Sequence, residues 1–126
     1  MNPDKIGDNP VNYDNVDKLI RPLVRKINSY DKCVKRTMVS CQGHHDHEVE
    51  KRSMGYKYPY VVINFQSEDI AHDFLIGVAE RFNFEVAKFD EASIKVNSKF
   101  YDDNVVANRE KLIETVIDTL DNVCPV

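Results

Sequence analysis

The amino-acid sequence predicts an α+β domain, a two-layer sandwich in which helices cover a four-stranded, mostly antiparallel sheet. Apolar residues recur at helical spacing in three segments, and they alternate or form short continuous runs in four others. These segments follow one another in the order α-β-β-α-β-β-α, without repeats or a linker. Among the connections between predicted strands, only the helix between Phe65 and Phe84 is long enough to return the chain for a parallel pair, so antiparallel pairing should dominate.

The composition is that of one globular domain. The chain has 126 residues, 42% apolar and 30% charged, which is enough to bury a core without metal or disulfide support. Residues 1–13 lack a periodic apolar pattern and are predicted to be a flexible arm, whereas residues 14–123 form the single domain. No run approaches the roughly 18 apolar residues of a membrane span. Residues 1–10 also lack the apolar core of a secretory signal, so we expect no membrane role and a cytoplasmic location.

The cysteines are Cys33, Cys41 and Cys124. Their number is odd, and their spacing is not that of a disulfide framework in a small secreted protein. Free thiols in a reducing compartment are therefore the expectation.

The first half of the chain is predicted to form one helix and two strands. The helix covers residues 14–28, and Pro22 either kinks it or marks a later start, because proline lacks the backbone donor. The first strand covers residues 33–41 with alternating faces. One face would hold Val34, Arg36, Met38 and Ser40, and the other Cys33, Lys35, Thr37, Val39 and Cys41. Residues 44–57 are predicted to be a polar loop, and residues 58–65 a central strand.

The second half is predicted to form a helix, a hairpin and a last helix. Ser67 should cap the helix, which ends near residue 83. Two short β-rich runs, residues 84–89 and 93–100, are separated by three residues and predict an antiparallel hairpin. The last helix should cover residues 104–122. Its inward face would consist of Leu112, Ile113, Val116, Ile117 and Leu120.

Charge is distributed unevenly along the chain, although the net charge is only -4. Residues 17–65 hold ten Lys/Arg against five acidic residues, whereas residues 66–126 hold six against thirteen. The basic segment, with Tyr56, Tyr58 and Tyr60 near its end, favours contact with an anionic ligand such as RNA. A solvated helix face and half-buried strand tyrosines would produce the same pattern without a ligand.

Residues 39–47 gather most of the reactive side chains, including three of the four histidines. Thiolate and imidazole are the ligands that zinc prefers, and the candidate metal ligands are Cys41, His44, His45 and His47. Cys41 could also be a nucleophile activated by His44, or simply a buried strand residue. The candidate ligand-binding residues are Ser40, Cys41, Gly43, His44, Lys35 and Arg36.

The chain has a predicted helix, then a strand that ends in Ser40-Cys41-Gln42-Gly43-His44, then a proline-led strand and a second helix. This order and motif resemble the wybutosine-synthesis methyltransferases, which act on phenylalanine tRNA. The hallmark of that family is Ser-Cys-Ser-Gly followed by a basic residue, and the resemblance covers residues 15–90. It implies that Ser40, Cys41, Gly43 and His44 line a cleft for S-adenosylmethionine and the modified guanosine. Gln42 stands where the family has serine, and His44 where arginine is usual.

Three functions are therefore open. The first is binding of a nucleotide-like ligand or S-adenosylmethionine around residues 40–47, for modification of tRNA or another nucleic acid that contacts residues 17–65. The second is a non-catalytic, acidic binding or inhibitor protein that docks on a protein partner through its C-terminal helix. The third is a Cys/His metal-binding domain, with zinc as the metal. Whether the protein is an enzyme is left open.

Overall fold

The computed structural model describes residues 5–6, 9–10, 13, 16–41, 59–81, 85–98 and 105–124. The elements in chain order are strands β1 (Lys5–Ile6) and β2 (Asn9–Pro10), helix α1 (Arg21–Asn28), strands β3 (Val34–Cys41) and β4 (Tyr60–Phe65), helix α2 (Glu68–Ala79), strands β5 (Glu85–Asp90) and β6 (Ser93–Asn97), and helix α3 (Val105–Val123). The two shortest strands, β1 and β2, pair only with each other, within the segment predicted to be an arm.

The four long strands form one sheet in the order β3-β4-β6-β5, and every neighbouring pair is antiparallel. β4 and β5 therefore run in the same direction, but β6 lies between them. Helix α2 carries the chain from β4 across the position of β6 to the far edge of the sheet. The predicted α+β class and the order α-β-β-α-β-β-α are confirmed. No helix in the described part of the chain is both long and apolar enough to cross a membrane.

The helices pack on one face of this sheet, called the helical face here. Val61, Ile63 and Phe65 of β4 turn to this face and belong to the core. The helical contribution to the core is Leu23, Val24 and Ile27 from α1, Ala71, Phe74 and Val78 from α2, and Leu112, Val116 and Leu120 from α3. The ring centroids of Phe65 and Phe74 lie 4.9 Å apart, so β4 and α2 are in direct contact. The predicted inward face of α3 is thus confirmed.

Helix α1 is shorter than the sequence predicts. It begins at Arg21 and holds Pro22 in its first turn. The first N–H groups of a helix have no acceptor within the helix, so the missing donor of a proline costs little there. Pro22 therefore marks a later start, one of the two outcomes that the sequence allows.

Local capping sets the limits of α2 and of the hairpin. The Ser67 hydroxyl accepts a hydrogen bond from the Ile70 N–H at 3.2 Å, as the sequence predicts. The helix ends at Ala79, a few residues earlier than expected. In the turn between β5 and β6 the Asp90 carboxylate accepts from the Ala92 N–H at 3.0 Å, which holds the turn closed.

Strand β3 does not keep the predicted alternation. Its pairing with β4 shifts between Val34 and Arg36, and again between Thr37 and Val39. At each shift two residues of β3 lie opposite one residue of β4, which is a β-bulge. The predicted faces are therefore wrong. Val34, Thr37 and Ser40 share the helical face through their partners on β4, whereas Arg36 and Val39 lie on the opposite face.

Cys33 and Cys124 form a disulfide, so the prediction of free thiols is wrong for this pair. The cysteines are 91 residues apart in sequence, but the fold brings their Cα atoms to 6.0 Å. Cys33 lies in the turn before β3, and Cys124 follows the last residue of α3. A cross-link over a loop of this length restricts the unfolded chain by about 4 to 5 kcal/mol in the loop-entropy treatment.

Tyr30 reinforces the same junction. Its hydroxyl donates to an Asp121 carboxylate oxygen of α3 at 2.5 Å. Burial, the hydrogen bond to Asp121, and the negative charges of Asp121 and Asp118 together raise the pKa of Tyr30 from 10.0 to about 12, with burial the largest cause. The neutral phenol is therefore the form that the folded protein favours.

Asn28 joins α1 to the edge strand of the sheet. It is the last residue of α1 and only 2% exposed. Its carbonyl oxygen accepts from the Thr37 N–H at 2.9 Å and from the Thr37 hydroxyl at 3.0 Å. Its amide nitrogen donates to the Tyr13 hydroxyl at 3.2 Å. One side chain thus satisfies the strand backbone beside the second bulge of β3 and also holds the segment before α1.

We expect Asn28→Ala to lower the free energy of unfolding by about 2 kcal/mol, because it removes a buried side chain and leaves the partly buried Thr37 N–H unsatisfied. Thr37→Val is the matched control, because it removes only the hydroxyl and should cost about 1 kcal/mol. Urea unfolding followed by circular dichroism measures both values. A change below about 0.5 kcal/mol for Asn28→Ala would show that the strand does not need this acceptor.

The raised pKa of Tyr30 predicts that the protein loses stability at alkaline pH. A group whose pKa is raised in the folded state stabilises the fold fully below its unfolded pKa and loses this contribution as the pH rises through the folded value. The difference in unfolding free energy between the natural protein and Tyr30→Phe should hold up to about pH 10 and shrink towards pH 12. Urea titrations across this range measure it. A difference that stays constant to pH 12 would contradict the role of the buried phenol.

Candidate functional site

The face of the sheet turned away from the helices, called the outer face here, carries an unusual number of β3 side chains. The first bulge places both Lys35 and Arg36 opposite Asn64, and the second places both Met38 and Val39 opposite Val62. A regular strand would present two side chains in this span, whereas β3 presents four. The two cationic side chains are exposed, and the two apolar ones lie beside them.

Tyr60 and Lys95 form the centre of this face. They lie diagonally on neighbouring strands, because Tyr60 pairs with Asn97 and Lys95 pairs with Val62. The Lys95 Nζ atom is 4.8 Å from the centroid of the Tyr60 ring, within the range of a cation–π contact. Both residues are half-buried, so each keeps part of its surface accessible.

A third bulge places an aromatic side chain on the outer face at the far edge. The pairing of β5 with β6 shifts between Lys88 and Asp90, so Phe89 and Asp90 both lie opposite Ser93. Phe89 is 55% exposed, an unusual position for a phenylalanine. Val39, on the other edge strand, is 43% exposed. Apolar surface is therefore accessible at both sides of the Tyr60 and Lys95 pair.

Partly buried hydrogen bonds hold one end of the outer face in place. The Asn64 amide donates to the Ser93 hydroxyl at 2.8 Å, and this hydroxyl donates to the Met38 sulfur at 3.2 Å. Ser93 is fully buried. The chain of contacts runs from β3 over β4 to β6, so these three strands present their outer side chains in a fixed arrangement.

The charges of the described residues are separated in space. Residues 17–41, which form α1 and β3, hold seven Lys/Arg against two Asp. Helices α2 and α3, with the residue that follows α2, expose carboxylates on the other side of the sheet, namely Glu68, Asp69, Asp73, Glu80, Glu110, Glu114, Asp118 and Asp121. Since α1 packs against β3, the positive charge of the predicted basic segment is concentrated at the β3 edge.

The structure separates the predicted ligand-binding residues that it describes. Lys35 and Arg36 lie together on the outer face, whereas Ser40 lies on the helical face, opposite Val61. The backbone of Cys41 pairs with Tyr60, next to the centre of the outer face. Among the described strands β3 lies at the edge of the sheet, so a ligand that contacts both groups would have to bind around that edge. Gly43, His44, His45 and His47, with Tyr56, Tyr58 and the predicted loop over residues 44–57, lie outside the described residues.

The metal prediction therefore falls mostly outside the described residues. Among the residues that the structure does describe, no three His, Cys, Asp or Glu side chains converge as a metal site would require. The predicted set of Cys41, His44, His45 and His47 is not tested by this observation and stays a prediction.

Comparisons of the chain with protein-family models, with curated proteins and with solved structures found no match. The resemblance to the wybutosine-synthesis methyltransferases therefore stays a prediction, and function has to be argued from the outer face itself.

Sequence reasoning missed most of the residues that form this face. Lys95 and Phe89 lie in short strands of alternating polar and apolar residues, where they do not differ from ordinary hairpin residues. The charged neighbours of Phe89, Lys88 and Asp90, were a weak indication that this side chain is exposed. Met38 and Val39 were assigned to opposite faces, because no sequence pattern revealed the bulge between them.

Proposed function

We propose that the protein binds single-stranded nucleic acid, RNA in particular, on the outer face of its sheet. The observation that carries this proposal is the Tyr60 ring with Lys95 above it, on the same face as Lys35 and Arg36, which lie opposite Asn64 further along β4. Aromatic rings on a rigid strand surface stack on bases, and neighbouring cations bind the phosphates between them. The proposal keeps the predicted RNA contact of residues 17–65 and adds Lys95 and Phe89 to it.

The arrangement supports a defined direction of binding. Lys35 and Arg36 on β3 would contact the backbone at one edge, Tyr60 and Lys95 would hold the next nucleotide, and Phe89 would offer a second stacking surface on β5. Glu85 and Asp90, at the two ends of β5, are acidic, so phosphates should lie closer to β3 than to β5. The acidic outer surfaces of α2 and α3 disfavour a nucleic acid on the helical side.

The affinity for a fluorescein-labelled single-stranded RNA of about twelve nucleotides tests the proposal. We expect Phe89→Ser and Tyr60→Leu each to weaken binding about tenfold, since stacking on an aromatic side chain is worth about 1 to 3 kcal/mol per base. Lys95→Gln should lower the slope of log affinity against log salt by about 0.7 for the lost phosphate contact. Fluorescence anisotropy at several salt concentrations measures both effects.

Matched controls distinguish the outer face from general attraction. Lys88→Gln removes an exposed cation from the helical face of β5, and Ile76→Ser removes an exposed apolar side chain from α2. Both should leave the affinity unchanged. Equal losses in Lys88→Gln and Lys95→Gln, or no loss in Phe89→Ser, would overturn the outer-face proposal.

The family resemblance leads to a narrower proposal, that the β3 end of this face holds S-adenosylmethionine for a methyl transfer to RNA. The pairing of Cys41 with Tyr60 supports it, because the predicted pocket then adjoins the stacking surface. A ligand that binds only the folded state raises the melting temperature. We expect S-adenosylmethionine to do so in chelator-treated, untagged protein, and Cys41→Ala and His44→Ala to abolish the shift. A shift with zinc alone would favour the metal-binding domain, and no shift with either would contradict both ligand proposals.

The exposed carboxylates of α3 support the alternative of a protein partner. Glu110, Glu114 and Asp118 are four residues apart and lie on one side of the helix. Asp121 is already engaged by Tyr30, so a test of this surface uses Glu114→Lys with Asp118→Lys and leaves Asp121 intact. This double variant should not weaken RNA binding, whereas loss of RNA binding would contradict the outer-face proposal.

The location of the protein remains part of the proposal. The sequence favours the cytoplasm, but a disulfide between Cys33 and Cys124 is more typical of oxidising compartments. The role of the disulfide therefore depends on whether the compartment contains a thiol that can reduce it.

A further inference from the structure

A cleft of about 160 Å³ lies at the junction of the α1–β3 turn with the end of α3, in the helical layer and away from the outer face. Its wall includes Cys124, one half of the disulfide, together with Tyr30 and Asp121. Lys26 and Lys32 stand at the same cleft. None of these residues lies on the outer face of the sheet, where the stacking surface is proposed.

We propose that the Cys33–Cys124 disulfide is a thiol–disulfide exchange site, and that a small amino-acid-type thiol, such as cysteine or glutathione, attacks it from this cleft. Cys124 lines the cleft and is 5% exposed, so a sulfur-sized group that enters the cleft comes close to it. Disulfide exchange requires access of a thiolate to one sulfur, and in this proposal the cleft is the route by which the thiolate reaches Cys124.

The charges of the cleft suit a thiol that carries both carboxylate and ammonium groups. Lys26 and Lys32 offer two ammonium groups for ligand carboxylates, and Asp31 and Asp121 supply the opposite charge. The Lys26 Nζ atom also lies over the Tyr30 ring, 5.4 Å from its centroid, and this contact keeps the ammonium group near the cleft. A neutral thiol would gain nothing from these groups, so they should select for a charged one.

The chemical step is a balanced exchange. The thiolate sulfur of the small molecule attacks the Sγ atom of Cys124 and forms a mixed disulfide with it. The bond between Cys124 and Cys33 breaks, and its electron pair leaves on the Sγ atom of Cys33, which becomes a thiolate and can take a proton from water. The small thiol is oxidised to the disulfide level, Cys33 is reduced, and no other oxidant or reductant takes part.

Exchange would alter the junction without removing every contact. The covalent link between the turn before β3 and the end of α3 would be lost, whereas the hydrogen bond from Tyr30 to Asp121 can remain. Lys32 is the sequence neighbour of Cys33, so an ammonium group is close to the chain position where the leaving thiolate forms.

The test uses folded protein in a Cys41→Ser background, so that Cys33 and Cys124 are the remaining cysteines. The protein is incubated with reduced glutathione, alkylated with iodoacetamide, and mapped by mass spectrometry. We expect glutathione on Cys124 and the alkyl group on Cys33. Lys26→Gln with Lys32→Gln should slow the reaction with glutathione about tenfold at low ionic strength, but leave the rate with neutral 2-mercaptoethanol unchanged.

Lys18→Gln is the control, because Lys18 is an exposed cation outside the cleft and its loss should change neither rate. Unfolding rates from urea jumps separate local attack from attack on the unfolded chain. Glutathione found on Cys33, equal effects of Lys18 and the cleft lysines, or an exchange rate equal to the unfolding rate for both thiols would each overturn the proposal.

Discussion

The buried amide of Asn28 is the contact on which the arrangement of the other parts depends. An edge strand normally exposes unpaired N–H and C=O groups, and a bulge adds a further residue that the ladder does not pair. Here the end of α1 supplies an acceptor to the Thr37 N–H, so a side chain satisfies this edge group. The same amide fixes the distance between α1 and β3. The position of the basic residues of α1 relative to Lys35 and Arg36 follows from that distance.

The bulges connect this scaffold to the outer face. Each one turns an additional side chain to the side away from the helices, so Lys35 and Met38 join Arg36 and Val39 there. The helical face keeps Val34, which continues the core. Strand β3 therefore contributes to the core on one face and presents additional side chains on the other, and the bulges allow it to do both. The partly buried bonds among Asn64, Ser93 and Met38 prevent this dense face from rearranging freely.

The sequence predicted the elements better than it predicted their contacts. Helical periodicity and the Ser67 cap depend on neighbours within a few residues, and these predictions were confirmed. The faces of β3 depend on its register with β4, which is set by the whole sheet, so a period of two misassigned Ser40 relative to Arg36. The disulfide depends on where the two ends of a 91-residue segment meet, and no local pattern carries that information. For the candidate site, the basic character of the region around Lys35 and Arg36 was evident, but the contribution of Lys95 and Phe89 required the strand order.

The disulfide also makes the chain between Cys33 and Cys124 a covalent ring that contains the whole sheet. A single proteolytic cut within this ring, for example between β3 and β4, would not release a fragment. The two pieces would stay joined through sulfur and could keep their pairing in the sheet, and they would separate under denaturing conditions only after reduction. After one such cut, proteolysis alone leaves the two pieces joined through sulfur, and reduction alone leaves the chain uncut. Both are therefore needed to separate the pieces.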